Sequence, residues 1–225
     1  MKSLAHEVRG LAVHATDGKL GTVLDVVFDA TSWRLHFLEV DTGWLFGRDL
    51  LIPIEKLRSL DIPGNTVTLD LTKGAAEKSP LAASARPGEE HFDLLFPYFG
   101  LASPWGVDVV APEAAEPPPP QPKPFRRLLF ARDLDGYELE ARGERIGTVR
   151  DVLIDIDSGR VTSLSADLGG LLAEDMREIK LARVVDVDTH AKMVKVDLKK
   201  VEMEAAHRLT ADELPYILPY IPPML

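Results

Sequence analysis

The sequence contains no cysteine. That absence removes disulfides, thiolate metal sites, cysteine nucleophiles and iron–sulfur clusters together, and it suits a reducing cytoplasm, where the protein is expected to reside. Long apolar runs are missing as well. No stretch approaches the ~18 uninterrupted apolar residues of a transmembrane helix, and the first ten residues, MKSLAHEVRG, lack the apolar centre of a signal peptide. Positive charge is also short, since 26 Lys and Arg stand against 36 Asp and Glu for a formal net charge of −10. Non-specific nucleic-acid affinity comes from Lys and Arg releasing counterions from phosphates, so a nucleic-acid partner is not expected.

Catalytic signatures are equally scarce. Six histidines are present, His6, His14, His36, His91, His190 and His207, and no two stand in an HxH or HExxH spacing. His14 and His36 fall on expected strands, and both read as ordinary polar surface rather than a metal site. There is no GxSxG, Walker A or GxGxxG, and Gly169-Gly170 lacks the rest of a phosphate cradle. The expectation is a non-enzymatic protein with no metal and no cofactor.

What the sequence has is a duplication. Gly21 to Asp29 reads GTVLDVVFD and Gly147 to Asp155 reads GTVRDVLID, identical at six of nine positions and 126 residues apart. The same offset pairs Gly10 with Gly136, Lys19 with Arg145, Arg34 with Arg160, Leu38 with Leu164, Asp41 with Asp167 and Gly43 with Gly169. After a small insertion near Ala173-Glu174-Asp175, Thr66 to Leu71 matches Met193 to Leu198. With 225 residues and 45% hydrophobic content, each copy can bury a core of its own.

Each copy reads as short strands divided by turns, which favours a small sandwich or barrel. In the first, strands are expected at 11–15, 21–29, 34–40, 50–53 and 66–71. Val23, Val26 and Phe28 share one face of a strand only if an extra residue intervenes at Leu24-Asp25. Val149, Val152 and Ile154 repeat the pattern around Arg150-Asp151, which predicts a β-bulge in both copies. The carboxylate pairs Asp25/Asp29 and Asp151/Asp155 are read as acceptors for turn amides rather than as acid–base or cation sites. Residues 113–124, EAAEPPPPQPKP, form a polyproline-type spacer at roughly 3.1 Å per residue.

Residues Glu7 to Gly10, Asp17 to Val23, Asp25 to Asp29, Gly43, Leu51-Ile52-Pro53 and Thr72-Lys73 leading to Pro80 together resemble a PRC-barrel domain, the family named for the cytoplasmic part of the photosynthetic reaction-centre H subunit. The second copy resembles it through Gly136, Arg142 to Gly147 and Asp151 to Asp155, and departs later, with Leu181 where the first has Pro53. The resemblance implies an all-β chain: PRC-barrel domain 1 over 1–80, an aromatic tail and proline-rich linker over 81–124, PRC-barrel domain 2 over 125–208, and an apolar tail over 209–225, the tails being short helical or irregular segments. It implies no catalytic residues, only a scaffold docking protein or RNA partners. The settings are reaction-centre assembly, ribosome maturation, sporulation or stress-associated proteins, and archaeal cell division.

Exposed aromatics are the functional lead. Trp33 sits in a hairpin turn where the second copy has Gly159, and Trp44 and Phe46 stand where it has Gly170 and Leu172. Trp33, Trp44, Phe46 and Arg48 make a candidate interaction patch, with capping of the barrel's own core as the alternative for Trp44 and Phe46. After the first barrel come Tyr98 and Trp105. The C-terminal LPYILPY, with Tyr216 and Tyr220, resembles the earlier LFPYF, so each barrel carries an apolar tail that packs on its own barrel, on the other copy, or on a second chain. The leading reading is a bacterial scaffold for an unidentified protein partner or for self-association as a homo-oligomer. The competing readings are a ribosome-associated factor and a peripheral component of a membrane electron-transfer complex.

Overall fold

The computed structural model describes residues 2–43, 49–79, 95–105, 128–169, 175–199, 202 and 205–210. The 44–48 loop, the proline-rich spacer and the tail beyond residue 210 lie outside them. In chain order the elements are β1 (Lys2–Leu4), α1 (Ala5–Val8), β2 (Ala12–Ala15), β3 (Gly18–Asp29), β4 (Arg34–Asp41), β5 (Asp49–Pro53), β6 (Leu57–Asp61), β7 (Thr66–Leu69) and α2 (Lys73–Glu77). The second copy follows with β8 (Leu128–Phe130), β9 (Glu138–Ala141), β10 (Glu144–Asp155), β11 (Arg160–Asp167), β12 (Met176–Lys180), β13 (Val184–Asp188) and β14 (Met193–Val196). The chain is all-β, with only short helices among the described residues, and carries the same strand set twice.

Two compact units divide it: residues 9–128 form one, and residues 1–8 with 129–225 form the other. In the first, β3 pairs antiparallel with β2 and β4, β4 with β5, and β7 lies parallel to β2 and antiparallel to β6. In the second, β10 pairs with β9 and β11, β11 with β12, and β14 lies parallel to β9 and antiparallel to β13. The strand expected at 66–71 ends at Leu69, and β6 was not expected at all. Its alternation is weak because most of its side chains face water.

The expected bulge is present in both copies. Val23 pairs with Val40 but Asp25 pairs with Glu39, leaving Leu24 as the extra residue, and Arg150 is extra in the same way between Val149/Ala166 and Asp151/Ser165. Val23, Val26 and Phe28 are thereby all at most 1% exposed, as are Val149, Val152 and Ile154. A second bulge lies on the partner strand. Val27 pairs with Phe37 and Phe28 with Leu35, so His36 is the extra residue there and Thr162 is its counterpart. Two bulges on opposite strands bend the hairpin around its core. Bending also needs close approach: a Cβ on Gly21 would lie 2.0 Å from the Asp41 carbonyl oxygen, and one on Gly147 would lie 2.3 Å from that of Asp167.

The first eight residues belong by sequence to the first copy, yet they pack with 129–225. Lys2, Ser3 and Leu4 run antiparallel to Asp155, Ile154 and Leu153, along the edge of β10 beyond the stretch that β9 covers. Leu4, Ala5 and Val8 are buried there. The Glu7 carboxylate accepts the Leu4 amide at 2.8 Å and closes the turn between β1 and α1.

Candidate functional site

Strand β4 supplies two consecutive buried rings, His36 and Phe37, 2% and 0% exposed. A regular strand would send them to opposite faces, and the bulge at His36 lets the two rings stand 6.3 Å apart, centroid to centroid, in one cluster. Residues 95–98 form a helical turn after the barrel, and Leu95 and Phe96 are buried against the same strand. Phe96 lies 5.2 Å from Phe37 and meets Trp105 edge-on at 5.4 Å, while Trp105 lies 4.8 Å from His36, all centroid to centroid. These separations are those of favourable aromatic pairs. His36 is therefore not surface polarity, as its residue type had suggested, but part of an aromatic cluster closed by the segment after the barrel.

Tyr98 and Trp105 thus have different surroundings. Trp105 is half-buried in the cluster. Tyr98 is 38% exposed, meets Phe99 edge-on at 4.9 Å and donates its hydroxyl to the Ala75 carbonyl of α2 at 2.7 Å. Helix α2 is fixed in turn by Thr72, whose hydroxyl accepts the Ala75 amide at 3.2 Å as an N-cap.

Trp33 stands in the β3–β4 turn with φ +58°, matching Gly159 at +62° in the second copy. Its ring stacks on Phe28 at 5.6 Å with the planes 14° apart, leaving it half-buried. Trp44, Phe46, Arg48, Tyr216 and Tyr220 lie outside the described residues. Next to that loop in sequence, a hollow of about 340 Å³ is lined by Lys19, Gly21, Thr22, Asp41 and Thr42.

The carboxylate pairs divide into two roles. Asp29 accepts the Thr31 amide at 2.8 Å and the Ser32 hydroxyl at 3.1 Å, and Asp155 accepts the Ser158 hydroxyl at 2.8 Å, as expected of turn acceptors. Asp25 and Asp151 differ from that expectation, because both are buried, each next to a core valine, Val26 or Val152, whose side chain takes the other face of the strand. Asp25 is fully buried and takes Arg9 Nε at 3.2 Å. Asp151, 3% exposed, accepts the Val152 amide at 2.8 Å through Oδ1. Its Oδ2 accepts the His6 amide at 2.9 Å and meets His6 Nδ1 at 2.6 Å. Charge-assisted bonds of this kind hold a buried carboxylate in place. Among the described residues no group of three His, Cys, Asp or Glu is placed to hold a metal ion, and no helix is long and apolar enough to cross a membrane.

The PRC-barrel domain matches this chain twice, over residues 2–76 and 127–203. The chain belongs to the PRC-barrel family. Comparison with curated proteins finds no match. The first PRC-barrel segment begins at residue 2, so β1, which pairs with β10, is part of the first repeat by sequence. The two PRC-barrel copies share their bulges and their buried carboxylates. They differ at the aromatic cluster, since Thr162 and Ser163 stand where the first copy has His36 and Phe37. The cluster was not legible in advance because its decisive residue, His36, is an extra residue of a bulge on the strand whose pattern looked regular.

Proposed function

We propose that this PRC-barrel protein is a non-enzymatic scaffold that binds a protein partner or itself through the aromatic side of its first barrel. Trp33 carries the reading. An L-residue in the left-handed region costs about 1–2 kcal/mol, and the second copy meets the same turn geometry with Gly159. A tryptophan kept at a half-buried turn in spite of that cost is suited to an interface, where Trp is over-represented among the residues that dominate binding. Tyr98, also partly exposed beside α2, extends the aromatic character of the same unit. The acidic balance and the lack of cysteine fit a cytoplasmic setting and a protein partner.

Capture from lysate of the native cells tests this, using the intact chain, a Trp33→Gly/Trp44→Ala/Phe46→Ala chain, and a chain altered on the second copy at Arg160→Ala. A protein held by the first and third but lost by the second is expected, with sedimentation of the purified chains reporting self-association in the same way. Binding or self-association indifferent to the first-copy substitutions would overturn the assignment. If the substituted chain instead melts far below the intact one, Trp44 and Phe46 serve the core.

A further inference from the structure

In the unit of residues 1–8 and 129–225 a groove of about 410 Å³ is lined by Glu178, Ile179, Lys180, Arg183, Leu198 and Glu202, with Ala205, Ala206 and His207 along its remaining wall. Its place in the fold can be located by the repeat. From β12 onward the copies are offset by 127 residues, as the pairing of Pro53 with Phe37 and of Lys180 with Ser163 shows, so Lys180 and not Leu181, as the sequence had suggested, stands where the first copy has Pro53. The counterparts of Glu178, Lys180, Arg183, Leu198 and Glu202 are therefore Leu51, Pro53, Lys56, Leu71 and Ala75.

In the first copy that position is filled. The Ala75 carbonyl receives the Tyr98 hydroxyl, and Phe96 packs on Phe37, which pairs with Pro53. Both contacts come from one short segment after the barrel, Leu95-Phe96-Pro97-Tyr98-Phe99. In the second copy Phe37 is replaced by Ser163, whose hydroxyl donates to Glu178 at 2.7 Å on the groove wall. Loss of the Phe37 ring at this place leaves room for an occupant. The sequence holds a second such segment, Leu214-Pro215-Tyr216-Ile217-Leu218, after its barrel, with Tyr216 14 residues past Glu202 where Tyr98 is 23 past Ala75.

We propose that the groove is the binding site for the chain's own C-terminal segment 211–225, with Tyr216 taking the part of Tyr98 and donating to the backbone carbonyl of Glu202. The chain is led to the right neighbourhood. Leu209 donates its amide to Met176 and the His207 carbonyl accepts the Glu178 amide, both at 2.9 Å, so residues 207–209 run along the edge of β12. The six steps from Thr210 to Tyr216 span up to about 20 Å, ample to turn back into a groove whose wall includes Ala206 and His207. Chemistry agrees with the assignment. Leu198 gives an apolar wall, and the charged rim of Glu178, Lys180, Arg183 and Glu202 suits a segment with phenol hydroxyls better than a purely aliphatic one. Arg183 and Glu202 are tied to each other at 2.6 Å, and Glu202 also accepts the Lys199 amide, so this rim is preformed.

The test uses a chain ending at Thr210 and a fluorescent synthetic peptide of residues 211–225, with binding followed by anisotropy. The truncated chain is expected to bind the peptide and the full chain, its groove occupied, to bind it at least tenfold more weakly. Tyr216→Phe in the peptide is expected to weaken binding by about fivefold, the value of one net hydrogen bond. Ala206→Trp in the truncated chain, which fills the groove from a partly exposed position, is expected to abolish it. No binding to the truncated chain overturns the proposal, as does binding that ignores Ala206→Trp in a variant with an unchanged melting temperature. A full chain that is dimeric and becomes monomeric on truncation would assign the segment to a second copy and overturn it too.

Discussion

At Trp33 two energies of similar size oppose each other. The left-handed backbone costs about 1–2 kcal/mol, while stacking on Phe28 returns about 0.5–1.5 kcal/mol. Glycine relieves the first and forfeits the second, whereas alanine forfeits the stacking and keeps the strain. Trp33→Gly is therefore expected to be more stable than Trp33→Ala by about 1 kcal/mol in urea denaturation. Equal stability of the two variants would show that backbone conformation is not what distinguishes this turn. The tension was legible in the sequence, because Gly159 marks the conformation that Trp33 must share. The burial of Asp25 and Asp151 was not. Each lies on the face away from the core valines, where alternation leads one to expect solvent, and their partners, Arg9 and His6, are separated from them by 16 and 145 residues.

At the scale of the strand, spacing alone revealed one bulge and concealed the other. Val23, Val26 and Phe28 demand an extra residue on their own strand, whereas the bulge at His36 lies on a strand whose apolar residues need no correction to be understood. Close approach was likewise hidden. Gly21 looks like an ordinary strand glycine, but its hydrogen faces the Asp41 carbonyl where the hairpin bends, and no other side chain fits. Gly21→Ala is expected to destabilise the barrel by about 3 kcal/mol, at the upper end of overpacking. Gly10→Ala makes the contrast, since nothing lies within 4 Å of its Cβ and only its positive φ opposes the change. Thermal melts that rank Gly10→Ala below Gly21→Ala would show that crowding at Asp41 does not govern the bend.

Across the whole chain, the duplication could be read from residues 126 apart, but which copy each strand completes could not. A segment of three strand residues and one helical turn carries no signal of its partner, because backbone pairing is indifferent to sequence. Deleting residues 2–8 is expected to remove amide-exchange protection from Leu153 to Asp155 and to lower the melting temperature of the second copy. The β3–β4 hairpin should keep its protection, and loss in that hairpin instead would show that the segment serves the first copy.

The placement of β1 has a consequence for how the protein can be divided. A gene split at the proline-rich spacer would not yield two self-sufficient modules, because the amino-terminal product carries a strand and a buried His6 contact that the carboxy-terminal product lacks. A protease nick in the spacer should, by the same logic, leave two fragments that co-elute until a denaturant frees the first eight residues. The duplicated ancestor has become a single heritable unit, in which the second copy is not complete when inherited alone.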